Sequence, residues 1–216
     1  MKIVDAVLEL LYPTRCAFCH KLSRSGEPVC PQCRKSIPRA EGDGQRQRFP
    51  FAALCVSPLY YEGDVRASLL RYKFHGMRAY AKIYGEFLAK CVDGNGISCD
   101  IITWVPLSRR RLRGRGYDQA RLLAEELAAR TGLACAPLLQ KTRHNKAQSG
   151  IGKAEKRRAN VAGVYAVLDR SDIRGKRVLL VDDIVTTGAT LSACAGVLKA
   201  AGAASVSAAT VARRKN

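Results

Sequence analysis

The stretch VLLVDDIVTTGAT, Val178 to Thr190, combines residue types that chemistry needs. It sets two adjacent carboxylates, Asp182 and Asp183, directly behind a continuous apolar run. Thr186, Thr187, Gly188 and Thr190 follow within seven residues. Neighbouring carboxylates repel each other and burial makes that worse, so the pair calls for a polar or cationic group between them. The loop after the acids leads into a helical pattern. A helix start offers free N–H groups and a partial positive charge, which suit phosphate. Gly188 admits a close approach of the backbone, and the threonines add hydroxyl donors. In open α/β sheets, ligands bind beyond the carboxyl ends of the strands. Acids for sugar hydroxyls beside a cradle for phosphate describe a site for a phosphorylated ribose, with Mg²⁺ nearby.

A second cluster is Cys16-x2-Cys19-x10-Cys30-x2-Cys33. Two residues between cysteines let both sulfurs of a knuckle reach one ion, and zinc favours four such ligands in a closed, structural tetrahedron. His20 is a spare ligand that four cysteines make unnecessary. A metal-free pair of turns and a redox Cys-x2-Cys are the alternatives. Some 40 residues can hardly hold a core without such a staple. The other five cysteines, Cys55, Cys91, Cys99, Cys135 and Cys194, sit among apolar neighbours and are expected to be small core residues.

The formal charge is +19, from 37 basic and 18 acidic residues, which favours polyanionic partners. Residues 101–160 hold 14 Lys/Arg against 4 Asp/Glu, about half of the excess. Arg109, Arg110, Arg111, Arg113 and Arg115 crowd into one expected loop, and Arg157 lies in a second, longer one, Gln140 to Asn160. Arginine forks match phosphate oxygens in pairs. Few aromatic residues are available to stack on bases: Trp104, Tyr117, Tyr72 and Phe74. A loop of some twenty residues in an ordered domain is a lid or is disordered. His144 within it is expected at the surface.

The surrounding pattern must position these groups. Ile3, Val4, Val7, Leu8 and Leu11 predict a short amphipathic helix at the start. Residues 1–40 form an N-terminal helix and zinc unit, 41–50 a polar linker, and 51–216 the main domain. In the last, strands are expected at 51–61 (broken at Pro58), 101–106, 161–167, 178–181 and 204–212. Helices are expected at 64–72, 78–91, 118–130 and 190–201. Alternating strands and helices argue for an α/β domain with a mainly parallel sheet flanked by helices. No apolar run is long enough to span a membrane, and no secretory signal is evident, so the cytoplasm is the expected compartment.

At this point the residues match known families. VLLVDDIVTTGAT resembles, over all thirteen positions, the phosphoribosyl pyrophosphate (PRPP) motif of type I phosphoribosyltransferases. The resemblance implies that Asp182 and Asp183 hold the ribose hydroxyls and act in any catalysis. It implies that Thr186, Thr187, Gly188 and Thr190 hold the 5′-phosphate and that Mg²⁺ comes with PRPP. The loop carrying Arg109, Arg113 and Arg115 lies where that family binds pyrophosphate, and Arg157 falls in its flexible loop; nucleic-acid contact remains an alternative for these arginines. The order of the four-cysteine knuckle, YKFHG, VPLSRRRLRGRGYDQA, RRANV and the PRPP motif is similar to the ComF family of competence proteins, including GntX-like DNA-utilisation members. It implies a role in DNA uptake or use, with single-stranded DNA and uptake-machinery proteins as partners. Asp118 stands where that family usually has Asn. An active phosphoribosyltransferase that releases pyrophosphate is the alternative, and a PRPP-sensing regulator a third reading.

Overall fold

A computed structural model of the chain describes residues 14–23, 27–142 and 163–215. The expected N-terminal helix and most of the 140–160 loop, Arg157 included, lie outside these residues. Among the described residues the strands are β1 (Arg46–Phe49), β2 (Ala52–Val56), β3 (Leu59–Tyr60), β4 (Ile101–Trp104), β5 (Ala134–Cys135), β6 (Leu139–Lys141), β7 (Tyr165–Val167), β8 (Arg177–Val185) and β9 (Ser205–Arg213). The helices are α1 (Pro31–Ser36), α2 (Gly63–Phe74), α3 (Tyr80–Gly94), α4 (Arg109–Arg115), α5 (Gln119–Thr131) and α6 (Ala189–Ala200). No helix among them is long and apolar enough to cross a membrane.

The main sheet runs β1-β2-β9-β8-β4-β5, with β3 also on β9. All its pairs are parallel except β1 with β2. This is the mainly parallel α/β architecture of the type I phosphoribosyltransferase-like fold. β8 is apolar from Val178 to Val181 because both of its faces are covered there. Leu179 and Val181 point into one core with Leu123, Leu127 and Tyr84; Val178 and Leu180 point into the other with Leu191, Cys194 and Leu198. The period of two therefore decides which layer each residue of β8 meets, and it continues into the acids.

The cysteine-bearing segment joins the first of these cores. Phe18, fully buried between Cys16 and Cys19, meets Tyr84 and Phe87 edge-on at 6.3 and 6.0 Å.

Two expectations are corrected. The arginine stretch is a helix, not a loop: the Ser108 hydroxyl accepts the Arg111 N–H at 3.4 Å, and Gly116 ends the helix at φ +77°. Serine, a run of good helix formers and glycine form a complete start-to-stop signal that the density of charge masks. Within the stretch read as a linker, 46–49 is strand β1, which pairs Arg46 with Val56 and Gln47 with Cys55. Arg213 Nη1 pins it by donating to the carbonyls of Gly44 (2.7 Å) and Arg46 (3.1 Å). Its first three residues are polar because it is an edge strand, with Arg46 and Arg48 exposed and Gln47 and Phe49 half-buried.

Because Phe18 ties the cysteine segment into the main core, Phe18→Ala is expected to lower the stability of the whole chain by about 3–5 kcal/mol. Urea denaturation should show one transition at lower denaturant; two separated transitions would mean that the segment folds independently.

Candidate functional site

β8 carries its two acids to the carboxyl edge of the sheet, where they line a cavity of ≈ 180 Å³. The cavity is also lined by Lys73, Arg111, Arg115, Gln119, Lys141, Tyr165 and Thr190. Four cations from three elements thus face two carboxylates. Lys73 Nζ lies 2.9 Å from Asp183 Oδ1, and both side chains are largely sheltered. Asp182 Oδ1 accepts the N–H of Asp183 at 2.8 Å. Burial, and then the neighbouring Asp183, push the Asp182 carboxyl up to about 8, while Lys73 works the other way. The pair therefore holds a proton near neutral pH, as crowded buried carboxylates do.

Three separated segments converge here. YKFHG supplies Lys73 and also Tyr72, whose hydroxyl donates to the Gln119 carbonyl at 2.9 Å. In RGYDQ, the Tyr117 hydroxyl donates to the Tyr72 carbonyl, locking the two stretches together. Asp118 accepts the N–H of Leu107 (3.1 Å) and of Arg121 (3.2 Å), so it caps α5 and bridges to the segment before α4. Its charge is spent on backbone donors, one on each carboxylate oxygen. Gln119, 1% exposed, accepts from Arg115 Nη1 at 2.6 Å while its own amide nitrogen is buried without a partner among the described residues. Lys141 comes from the β6–β7 hairpin; its Nζ donates to the Tyr165 hydroxyl at 3.3 Å, and burial lowers its pKa.

The loop after the acids ends in α6, whose start has no side-chain cap among the described residues. Gly188 stands at φ +71°, and a Cβ there would fall 2.1 Å from the Phe49 ring. The β1–β2 hairpin therefore lies directly on the loop, and only glycine fits. Thr186 and Thr187 are exposed and Thr190 is half-buried on the cavity wall.

Of the arginines singled out from sequence, Arg115 lines the acid cavity. Arg109 lines an adjoining groove of ≈ 870 Å³ that also holds Trp104, Arg121 and Lys141. Arg113 is exposed and lines neither. Arg111 stood in the sequence only as one of five clustered arginines, and Lys73, Gln119 and Lys141 were not singled out as ligand contacts. Helical spacing pairs Arg111 with Arg115, one turn apart on one face, which a loop reading hides. The lysines and the glutamine needed the tertiary arrangement.

In the N-terminal segment the sulfurs of Cys16, Cys19, Cys30 and Cys33 lie within 4.8 Å of one another, and those of Cys19 and Cys30 are 3.8 Å apart. A tetrahedron with zinc–sulfur bonds of about 2.3 Å has edges of about 3.8 Å, so the set fits zinc. The N–H of Cys30 points at the sulfur of Cys16 and the N–H of Cys33 at that of Cys30, both at 3.4 Å, which suits thiolates. His20 is not part of the cluster.

Comparison with known proteins matches residues 117–216 to the phosphoribosyl transferase domain and residues 7–43 to the double zinc ribbon domain. The chain is 29% identical to competence protein ComFC of Streptococcus pneumoniae over 88% of this chain and 84% of that protein. It is 27% identical to the DNA utilization protein YhgH of Escherichia coli O157:H7 over 88% and 86%. Over most of its length the chain is thus similar to a competence protein and to a DNA utilization protein. Among solved structures, the glutamine PRPP amidotransferase of B. subtilis aligns with 65% of the chain at 22% identity and a TM-score of 0.45; the chain spans under a third, 30%, of that protein. The acids and the glycine loop fall inside the range matched to the phosphoribosyl transferase domain. The four cysteines fall inside the zinc ribbon, which supports a structural zinc. Lys73, Arg111 and Arg115 lie in neither matched range.

Asp182 also sets a pH dependence. An unfolded aspartate titrates near 3.9, whereas the folded one is raised to about 8. Between these values the folded chain keeps a proton that the unfolded chain has released, so stability is full below about pH 4 and falls as pH rises towards 8. Asp182→Asn is expected to flatten this slope and to exceed the wild type at pH 8 by about 1 kcal/mol or more. Urea denaturation at pH 5 and 8 checks this; equal slopes in the two proteins would show that Asp182 is ionised throughout.

Proposed function

We propose that this protein is a member of the ComF family, binds Mg²⁺·PRPP in the acid cavity and serves DNA uptake or utilisation through contact with single-stranded DNA. The observation that carries the reading is the two carboxylates and the glycine loop on one strand edge, faced by four cations. Asp182 and Asp183 accept hydrogen bonds from the ribose 2′- and 3′-hydroxyls. Thr186, Thr187, Thr190 and the N–H groups around Gly188 take the 5′-phosphate. Lys73, Arg111, Arg115 and Lys141 take the pyrophosphate end, and Mg²⁺ arrives on those oxygens. Among the described residues the four cysteines are the one group of metal-ligating side chains close enough to form a resident site.

The names of the ComFC and YhgH relatives and the charge of +19 support the DNA role. Exposed Arg109, Arg110, Arg111 and Arg113 and the groove beside Trp104 offer phosphate contacts and a stacking surface. Uptake-machinery proteins are the accompanying partners and the cytoplasm the compartment of action. The cations opposite the acids also favour a second reading, phosphoribosyl transfer. When the bond to pyrophosphate breaks, positive charge grows on the ribose beside the carboxylates, and negative charge grows beside the cations.

Calorimetric titration tests the binding. Wild type is expected to bind Mg²⁺·PRPP, and Asp182→Asn/Asp183→Asn to lose at least tenfold in affinity, a minimum corresponding to about 1.4 kcal/mol. Oligothymidylate binding should weaken steeply with salt as counterions are released. Equal PRPP affinity in both proteins would remove the acids from the site.

A further inference from the structure

Helix α2 ends on three consecutive side chains that each hold a different part of the molecule. Arg71 reaches back to the zinc ribbon: its Nη2 donates to the carbonyls of Ala17, at 3.1 Å, and Phe18, both inside the first cysteine knuckle. Tyr72 is fully buried and holds the Gln119 carbonyl. Lys73 holds Asp183 at 2.9 Å. A second path joins the same points, since Phe18 packs on Tyr84 and Tyr84 meets Tyr72 edge-on at 5.4 Å.

We propose that the zinc ribbon fixes Lys73 on the acid pair through Arg71, so that the ribbon helps to set the ligand affinity of the acid cavity. The connection stands on the contacts above; only the choice of ligand rests on the PRPP reading.

The physical need for such a brace is plain. Lys73 lies in the last turn of α2, and helix ends fray. Beyond it come exposed Phe74, His75 and Gly76 at φ +69°. A lysine there must give up much of its rotamer freedom to sit on one carboxylate. Arg71 supplies the restraint two residues earlier. One nitrogen of its rigid, permanently charged fork spans two successive carbonyls that the closed knuckle holds in place. Its Nε is buried without a partner among the described residues, so the guanidinium has given up solvent to make this contact. The zinc ribbon thereby acts on the cavity although its sulfurs do not line it.

Arg71→Met keeps most of the apolar stem and removes the fork. The largely sheltered, ion-paired ammonium of Lys73 should give a protected cross-peak in a ¹⁵N–¹H spectrum tuned to lysine NH₃⁺ groups, identified by its absence in Lys73→Met. Arg71→Met is expected to keep one zinc per chain, to lose that cross-peak, and to bind Mg²⁺·PRPP about tenfold more weakly. Arg71→Lys, which keeps one donor, should lie between. In a Lys73→Met background the Arg71 change should add no further loss, because both act through the same contact. A retained cross-peak in Arg71→Met with zinc in place, or losses that simply add in the double variant, would overturn the proposal. If the wild type takes up no PRPP, the ligand reading fails, while the cross-peak still decides the connection.

Discussion

Two carboxylates on consecutive residues at the end of a buried strand are the costliest feature of the molecule, and much of the rest accommodates them. Strand alternation sends them to different neighbours. Asp183 faces the side of α2, where Lys73 meets it. Asp182 faces the other side, where Lys141 and Tyr165 sense its charge and where its oxygen is occupied by the next backbone N–H. Lys73 also works against the proton on Asp182, yet burial, with Asp183 beside it, leaves that carboxyl with a raised proton affinity. A ligand that brings hydroxyl donors and a polyanion satisfies both the acids and the surplus of cations.

Holding that arrangement requires contacts far apart in sequence. The hydroxyls of Tyr72 and Tyr117 weld the end of α2 to the start of α5, which aims Lys73, Arg115 and Gln119 into one space. On the opposite flank, Arg213 pins β1, and β1 lays Phe49 on Gly188. The glycine is therefore required twice, by its positive φ and by the aromatic ring above it. The zinc ribbon, packed through Phe18, closes the same core from a third direction.

Much of this was legible in the sequence. The acid pair, the glycine loop and the four cysteines are local patterns, and local patterns carry their own geometry. The longer strands and helices of the main domain followed from periodicity to within a few residues, because both faces of the sheet are buried, whereas the short strands β5 and β6 were not read. What escaped had a physical reason. Strand β1 is held by Arg213 from the far end of the chain, and nothing in RQRF announces it. Helix α4 was hidden by its charge. Lys73 gains its meaning only from Asp183, more than a hundred residues away, and the free amide of Gln119 only from the partner taken by its oxygen.

The most direct measurement of the central claim is a crystal structure of the wild-type protein with Mg²⁺·PRPP. The ribose hydroxyls are expected within hydrogen-bonding distance of Asp182 and Asp183, with the 5′-phosphate on the loop from Thr186 to Thr190. Density for the ligand elsewhere, with the acids still held by Lys73 alone, would contradict it.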